Sequence, residues 1–198
     1  MRTHAAREEP SRAETSCKKN RREPSRLAVR RLVVLAALPW LLVPAAAAQD
    51  LRAAVFDLDF LDTSLEGASG GVRQDEVRRL ALIGDRLREM LGERGIAVLD
   101  LAPARARIDK AAPLTRCNGC DLDLARELGA ELSVTGTVHK VSNLILNINV
   151  TVRDAGSGQA VRAGSVDIRG NTDESWLRGV SYLVRNRLLD PPLRRLLP

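Results

Sequence analysis

The C-terminal half of the chain alternates apolar and polar residues, which is the pattern of strands with one buried face. The alternation is clearest over residues 144–153, where Leu, Ile and Val occupy one set of positions and mostly Asn, Thr and Arg the other. Residues 132–138 alternate in the same way, and residues 160–168 follow a turn at 154–158 that contains two glycines. These three segments are predicted to form an antiparallel meander.

The N-terminal half mixes strand and helix patterns. A strand is predicted over residues 51–61, because the even-numbered residues from 54 to 60 are apolar and share one face. A loop with three glycines is predicted at 62–74. The next helix is predicted over residues 75–94, on an apolar stripe of Val77, Leu80, Ala81, Gly84, Leu87 and Leu91.

One more strand and three more helices are predicted, and together with the segments above they indicate the fold class. A strand is predicted at 96–101, followed by helices at about 103–112 and 121–128. The last helix follows the meander, with Asn171 as its cap, and stops before Asp190. The order β-α-β-α-α-β-β-β-α predicts a single α/β (α+β) domain, with a mixed sheet, a C-terminal three-strand antiparallel meander and helices packed on one face.

The segment before the first strand has the pattern of a secretory signal. Two arginines precede an apolar run at residues 32–43, and Pro44 and four alanines follow. Small residues at this position are typical of a signal-peptidase site, so residues 26–48 are predicted to be a signal peptide and residues 49–198 the secreted domain. The run is shorter than the roughly 20 apolar residues of a membrane-spanning helix. We therefore expect a periplasmic protein with no stable membrane span after cleavage.

Removal of this segment changes the charge of the protein. The whole chain has a formal net charge of +6, and residues 1–31 contain ten Lys or Arg and four Glu, so the entire excess lies there. A formally neutral secreted domain does not indicate a nucleic-acid partner. Residues 1–25, which are almost free of apolar side chains, are predicted to be a disordered basic extension or the product of a mis-annotated start.

Three segments carry a family resemblance: Val55–Gly67, Cys117–Ala130 and Val141–Trp176. They resemble a family of secreted proteobacterial proteins of unknown function, over about residues 51–189. This resemblance implies no established activity and no catalytic residues. More distantly, the order of elements and the turn within Val150–Val161 are similar to periplasmic α/β domains of the Tol-system propeller protein and the curli secretion channel. Such an analogy concerns the fold and supplies no function.

Cys117 and Cys120 are the only cysteines after residue 48, and they directly precede a predicted helix. In an exported protein this spacing favours a structural disulfide. A thiol at a helix N-terminus is also typical of redox proteins, which leaves thiol–disulfide exchange as an alternative. A zinc site would need four ligands, and the secreted part offers only His139 besides the two cysteines.

Asp57, Asp59 and Asp62 lie at the end of the first predicted strand, next to the glycine-containing loop at 63–71. Ligands of α/β sheets gather at the carboxyl ends of strands. Carboxylates there could bind a cation or small ligand, or they could simply solvate an exposed face. This is the first candidate for a ligand or partner site.

The polar face of the meander is the second candidate. Amides and hydroxyls on a rigid sheet can hydrogen-bond a peptide or a sugar, although the secreted part has only four aromatic residues for stacking. The side chains expected there are His139, Asn143, Asn147, Asn149 and Thr151. We expect a non-catalytic periplasmic domain that binds an envelope protein, with no cofactor, metal or nucleic acid. A redox role of the cysteines and a carboxylate-based ligand site are the alternatives.

Overall fold

The computed structural model describes residues 50–193, and the predicted signal peptide lies outside them. The strands are β1 (Leu51–Val55), β2 (Asp59–Asp62), β3 (Ile96–Val98), β4 (Leu132–Ser142), β5 (Ile145–Asp154) and β6 (Ala160–Arg169). The helices are α1 (Leu65–Gly70), α2 (Gln74–Gly92), α3 (Arg105–Ala111), α4 (Cys120–Glu127) and α5 (Asp173–Leu183). Short 3-10 turns span Ala102–Ala104 and Leu114–Arg116, and a π-helical turn, Val184–Leu188, continues α5. No helix within residues 50–193 combines the length and apolar character needed to span a membrane.

The strands form one mixed sheet in the order β3-β1-β4-β5-β6, and β2 pairs with β4 beyond the end of β1. β1 runs parallel to β3 and β4, whereas β4, β5 and β6 form the predicted antiparallel meander. The fold class predicted from the sequence is therefore confirmed.

The first predicted strand is divided into β1 and β2 by an irregularity in its pairing with β4. Val55 pairs with Val134, and Asp59 pairs with Thr137, so four steps along one strand match three along the other. One extra residue moves the side chains that follow to the opposite face. Phe56 therefore packs on one side of the sheet and Leu58 on the other, which corrects the prediction of a single face.

The larger core lies between the sheet and helices α2 and α5. The buried apolar side chains of α2 include Ile83, Leu87 and Met90, whereas Val77 and Ala81 of the predicted stripe are exposed. Thr172, and not Asn171, caps α5, through a hydrogen bond from the Ser175 amide to its hydroxyl.

A smaller apolar cluster lies on the opposite side of the sheet. It joins Phe56 of β1 to Ile108 of α3 and Leu124 of α4. Helices thus cover both faces of the sheet, which corrects the prediction of helices on one face. On the second face, α4 contacts β4 and also the end of β5, where Asp121 pairs with Arg153. Farther along the sheet, Asn149 of β5 and Ala163, Ser165 and Asp167 of β6 are exposed.

Candidate functional site

Asp57 follows β1 and joins two helices that lie on different sides of the sheet. Its carboxylate accepts hydrogen bonds from Arg88 of α2 and, at 2.8 Å, from Arg105 of α3. Although partial burial opposes ionisation, these hydrogen bonds lower the pKa of the Asp57 carboxyl. The Asp57 carboxylate is thus hydrogen-bonded to two arginines of its own chain.

Asp59 and Asp62 face opposite sides of the sheet. Asp59 accepts hydrogen bonds from the amide, at 2.9 Å, and the hydroxyl of Thr115, and so fixes the 3-10 turn before the cysteines. Asp62 accepts from the amide and hydroxyl of Ser64, whose own oxygen caps α1. The three aspartates therefore do not converge on a common point. In residues 50–193, no group of three or more His, Cys, Asp or Glu side chains is arranged to hold a metal ion.

The most heavily buried charges in the described residues form a network that sequence reasoning did not identify. Lys140 is fully buried at the end of β4, and its ammonium lies 2.7 Å from Glu76, 3.0 Å from Glu66 and 3.3 Å from Asp62. Asn171 also donates to the Glu76 carboxylate. We call these five residues the Lys140 cluster.

The Lys140 cluster ties β4, α1, α2 and the loop before α5 together. Burial disfavours the charged amine, but hydrogen bonds to the surrounding carboxylates outweigh it and raise the pKa of Lys140. Hydrogen bonds from Lys140 and Asn143 lower the pKa of Glu66. Three carboxylates share this one ammonium, so the network links α1, α2 and the end of β4 through a single buried charge.

Cys117 and Cys120 are bonded to each other, and their Cα atoms lie 5.6 Å apart, within the usual range for disulfides. Both side chains pack against the smaller apolar cluster. The pair encloses a tight turn in which Asn118 has φ = 54° and Gly119 has φ = 102°. This geometry is compatible with the predicted structural disulfide.

The polar face of the meander is open in the structure. Asn147 donates to Asp167 at 2.7 Å and to Ser165 at 2.9 Å on the neighbouring strand, and Asn149 donates to Asn147. On β4, the His139 ring is hydrogen-bonded to Thr63 at 2.8 Å. We call this surface the open face; it consists of Leu61, His139, Asn147, Asn149, Ala163, Ser165 and Asp167.

Asn143 does not belong to the open face. It lies in the turn between β4 and β5 and donates to Glu66 of the Lys140 cluster. Leu61, at this end of the open face, is 37% exposed, and three apolar side chains beside it are also exposed: Val141 (46%), Leu144 (71%) and Ile145 (42%).

Several solved structures resemble the chain at low similarity. The C-terminal domain of LpoB from Salmonella enterica has 13% identity and a TM-score of 0.45, with 63% of this chain and 87% of that chain covered. Lipoprotein GNA1162 from Neisseria meningitidis has 17% identity and a TM-score of 0.42, with 63% and 84% covered. The PelC dodecamer from Paraburkholderia phytofirmans has 12% identity and a TM-score of 0.41, with 71% and 90% covered. No functional assignment rests on these similarities.

No curated protein sequence matches the chain. Residues 51–188 match the family DUF3280, described as "Protein of unknown function (DUF2380)". These residues form the greater part of the chain and include every strand and helix described above. The resemblance to a family of unknown function that the sequence predicted is therefore confirmed, and the protein belongs to the DUF3280 family.

Proposed function

We propose that this protein is an exported, non-catalytic domain that binds an envelope protein through the open face. Its export is supported by the signal-like pattern at residues 26–48 and by the pairing of Cys117 with Cys120, since disulfides persist in oxidising compartments. The periplasm is the compartment that fits both features.

The open face itself carries this proposal. It presents amides and hydroxyls on a rigid sheet, so little conformational freedom is lost when a partner is bound. Asn147 is held by hydrogen bonds to its neighbours, while the outer residues of β6 at 163, 165, 167 and 169 are all exposed. The exposed apolar side chains of Leu61, Val141, Leu144 and Ile145 add area that a partner could bury.

The redox alternative is less favoured by the local charges. A reactive thiol needs a positive environment that stabilises the thiolate. The first turn of α4, which begins at Cys120, carries Asp121 and Asp123. These carboxylates are paired with Arg153 and Arg126, so neither arginine adds a net positive charge near the thiols. Both cysteines also pack against the smaller apolar cluster, which disfavours a charged thiolate and so favours a stable disulfide.

The carboxylate alternative is weakened by the partners of the three aspartates. Asp57 is paired with two arginines, Asp59 with Thr115, and Asp62 with Ser64 and Lys140. A ligand would have to displace these contacts one by one at separate positions.

A matched pair of variants tests the proposal. Ala163 is exposed on the open face, and Ala81 is exposed on α2, away from this face. We expect Ala163→Arg to lose a protein partner that wild type captures from periplasmic extract under physiological salt, because the long charged side chain prevents close packing. Ala81→Arg should retain that partner.

Equal capture by both variants would show that the open face is not the binding surface. Both proteins should unfold at nearly the same urea concentration, because surface substitutions away from special features change stability by less than about 0.5 kcal/mol. Intact mass of the captured bait reports export in the same experiment, with Gln49 expected as the first residue.

A further inference from the structure

A polar cavity lies beside the open face, between the cysteine-bounded turn and strands β4 and β5. Its volume is about 480 Å³, within the range of roughly 300–1,000 Å³ that small-molecule sites occupy. Thr135 and Thr151 form its floor on the sheet, and Asn118 and Gly119 form one wall. The turn between β5 and β6 closes the other side through Ser157.

The two threonines of the floor provide hydrogen-bonding groups that the protein does not use. Thr135 is only 8% exposed, yet its hydroxyl has no hydrogen-bond partner within residues 50–193. The hydroxyl of Thr151, directly opposite on β5, has none among these residues either. Because both threonines line the cavity, their hydroxyls are available to an occupant that can donate to them or accept from them.

The charged side chains of the cavity neutralise each other. Arg153 donates to the Asp121 carboxylate at 3.2 Å and to the Gly158 carbonyl at 3.1 Å. The other carboxylate oxygen of Asp121 accepts from Ser133 at 2.8 Å. Because this pair leaves no uncompensated charge, the cavity does not select for an anion or a cation.

The remaining lining groups indicate the chemistry of a ligand. Hydroxyls, the Asn118 amide and the spare N–H groups of Arg153 can exchange hydrogen bonds with a molecule that carries both donors and acceptors. Leu114 and Leu122 add a small apolar surface for C–H groups. From these features we infer that the cavity binds a small, neutral, polyhydroxylated molecule of monosaccharide size. This site adjoins the proposed protein-binding surface, because Thr151 pairs with Ala163, but the cavity is lined by different residues.

The disulfide contributes to this cavity by holding its wall. Asn118 and Gly119 lie between the two cysteines and both have positive φ, a conformation that an unrestrained chain seldom adopts at a non-glycine residue. Loss of the Cys117–Cys120 bond would free this turn and widen the cavity. Ligand affinity is therefore expected to fall when the disulfide is removed.

Titration of the isotope-labelled protein with N-acetylglucosamine and with glucose tests the inference by amide chemical shifts. We expect saturable shifts at Thr135, Thr151 and Asn118 with at least one of these sugars. Thr135→Val and Thr151→Val keep the shape and strand preference of threonine but remove the hydroxyl. Each should weaken binding roughly threefold to tenfold, the value of one hydrogen bond. Thr137→Val, on the same face of β4, is the matched control. Thr137 does not line the cavity and makes only a long hydrogen bond, 3.4 Å, to the lining residue Thr115, so this variant should bind nearly as wild type does.

Two results would overturn the claim that this cavity is a binding site for polar molecules. One is the absence of saturable shifts with both sugars while the spectrum shows a folded protein. The other is equal affinity of Thr135→Val, Thr151→Val and Thr137→Val. Tighter binding of acetate or of a simple ammonium ion than of either sugar would contradict the neutral class of ligand. Because the titration uses the isolated protein, its outcome is independent of whether an envelope partner binds the open face.

Discussion

Replacement of Lys140 by methionine is expected to be one of the most destabilising single changes in the described part of the chain. The ammonium is fully buried and contacts Glu76, Glu66 and Asp62 at 2.7, 3.0 and 3.3 Å. Its removal leaves carboxylates of the Lys140 cluster buried without a counter-charge, which costs about 3–5 kcal/mol. The apolar end of methionine returns only about 0.8 kcal/mol per buried methylene.

Urea unfolding at pH 7, followed by far-UV circular dichroism, measures this loss. A domain of this kind has a total stability of about 5–15 kcal/mol, so the expected loss is a large part of it. Lys110→Met is the matched control, because Lys110 is exposed on α3, and it should change stability by less than about 0.5 kcal/mol. A loss below about 1 kcal/mol for Lys140→Met would refute the reasoning.

The pH dependence of the stability of Lys140→Met tests whether the loss comes from carboxylates left without a counter-charge. In wild type, hydrogen bonds from Ser64 and Lys140 overcome the effect of burial and lower the pKa of Asp62, and Lys140 and Asn143 lower that of Glu66. These carboxylates stabilise the fold above pH 4, and the stabilisation is lost as the pH falls through their lowered pKa values. Without the ammonium, the part of the lowering that comes from Lys140 is lost, so the pKa values of Asp62 and Glu66 rise in the variant. Protonation at acid pH then relieves the variant of carboxylates that lack a counter-charge. The difference in the free energy of unfolding between wild type and Lys140→Met should narrow from pH 7 to pH 4. A constant difference would exclude this electrostatic origin.

Three further predictions concern separate positions. Gly67→Ala should destabilise by about 1–3 kcal/mol in urea unfolding, because the new Cβ would clash with the Asp62 carboxyl group, even though alanine normally favours a helix. Unchanged stability would show that α1 shifts freely. Asp173→Asn should lower the melting temperature at pH 7, because hydrogen bonds from two arginines of α2 lower the pKa of Asp173 to about 2. The difference in melting temperature between variant and wild type should shrink between pH 4 and pH 2 as this carboxylate is protonated, and an undiminished difference at pH 2 would contradict this. Joint replacement of Cys117 and Cys120 by serine should cost about 2 kcal/mol in urea unfolding and leave protein capture unchanged, whereas loss of a measurable reductase activity would identify a redox pair.

The meander was predictable because its pattern depends on one physical requirement. A strand buried on one face must alternate, and the residues of β5 alternate almost without exception. The division of the first strand was not predictable in this way. A single extra residue opposite β4 moves the side chains that follow to the other face of the sheet. Because Phe56 and Leu58 are both apolar, the change of face is invisible in the alternation of apolar and polar residues.

For the candidate sites too, the sequence predicts what lies within one strand but not the contacts between elements. Asn147 and Asn149 lie on one face of β5, as the alternation of that strand predicts. The partners of Asp57 and Asp62 come from other elements, so strand position alone did not reveal that these carboxylates are engaged. For Lys140 a signal did exist, because it continues the inward-facing positions of β4 and therefore had to be buried.

Charge partners of Lys140 could not be read from the sequence. Glu76 is 64 positions away and Glu66 is 74 positions away, at the start of helices whose docking is set by the apolar core. In helix α2, for example, the buried side includes Glu76 and Arg79. A search for an apolar stripe cannot identify these charged residues as buried. Networks of this kind follow from tertiary packing and leave no local periodicity.

Site-specific photo-crosslinking in the intact periplasm tests the central claim most directly. A photoreactive residue at position 149 reports contacts of the open face, and one at position 81 reports contacts of the exposed side of α2. Partner binding through the open face predicts a discrete protein adduct from position 149 that disappears when Ala163→Arg is added, and no such adduct from position 81. The same adduct from both positions, or one from position 81 alone, would contradict the proposed function.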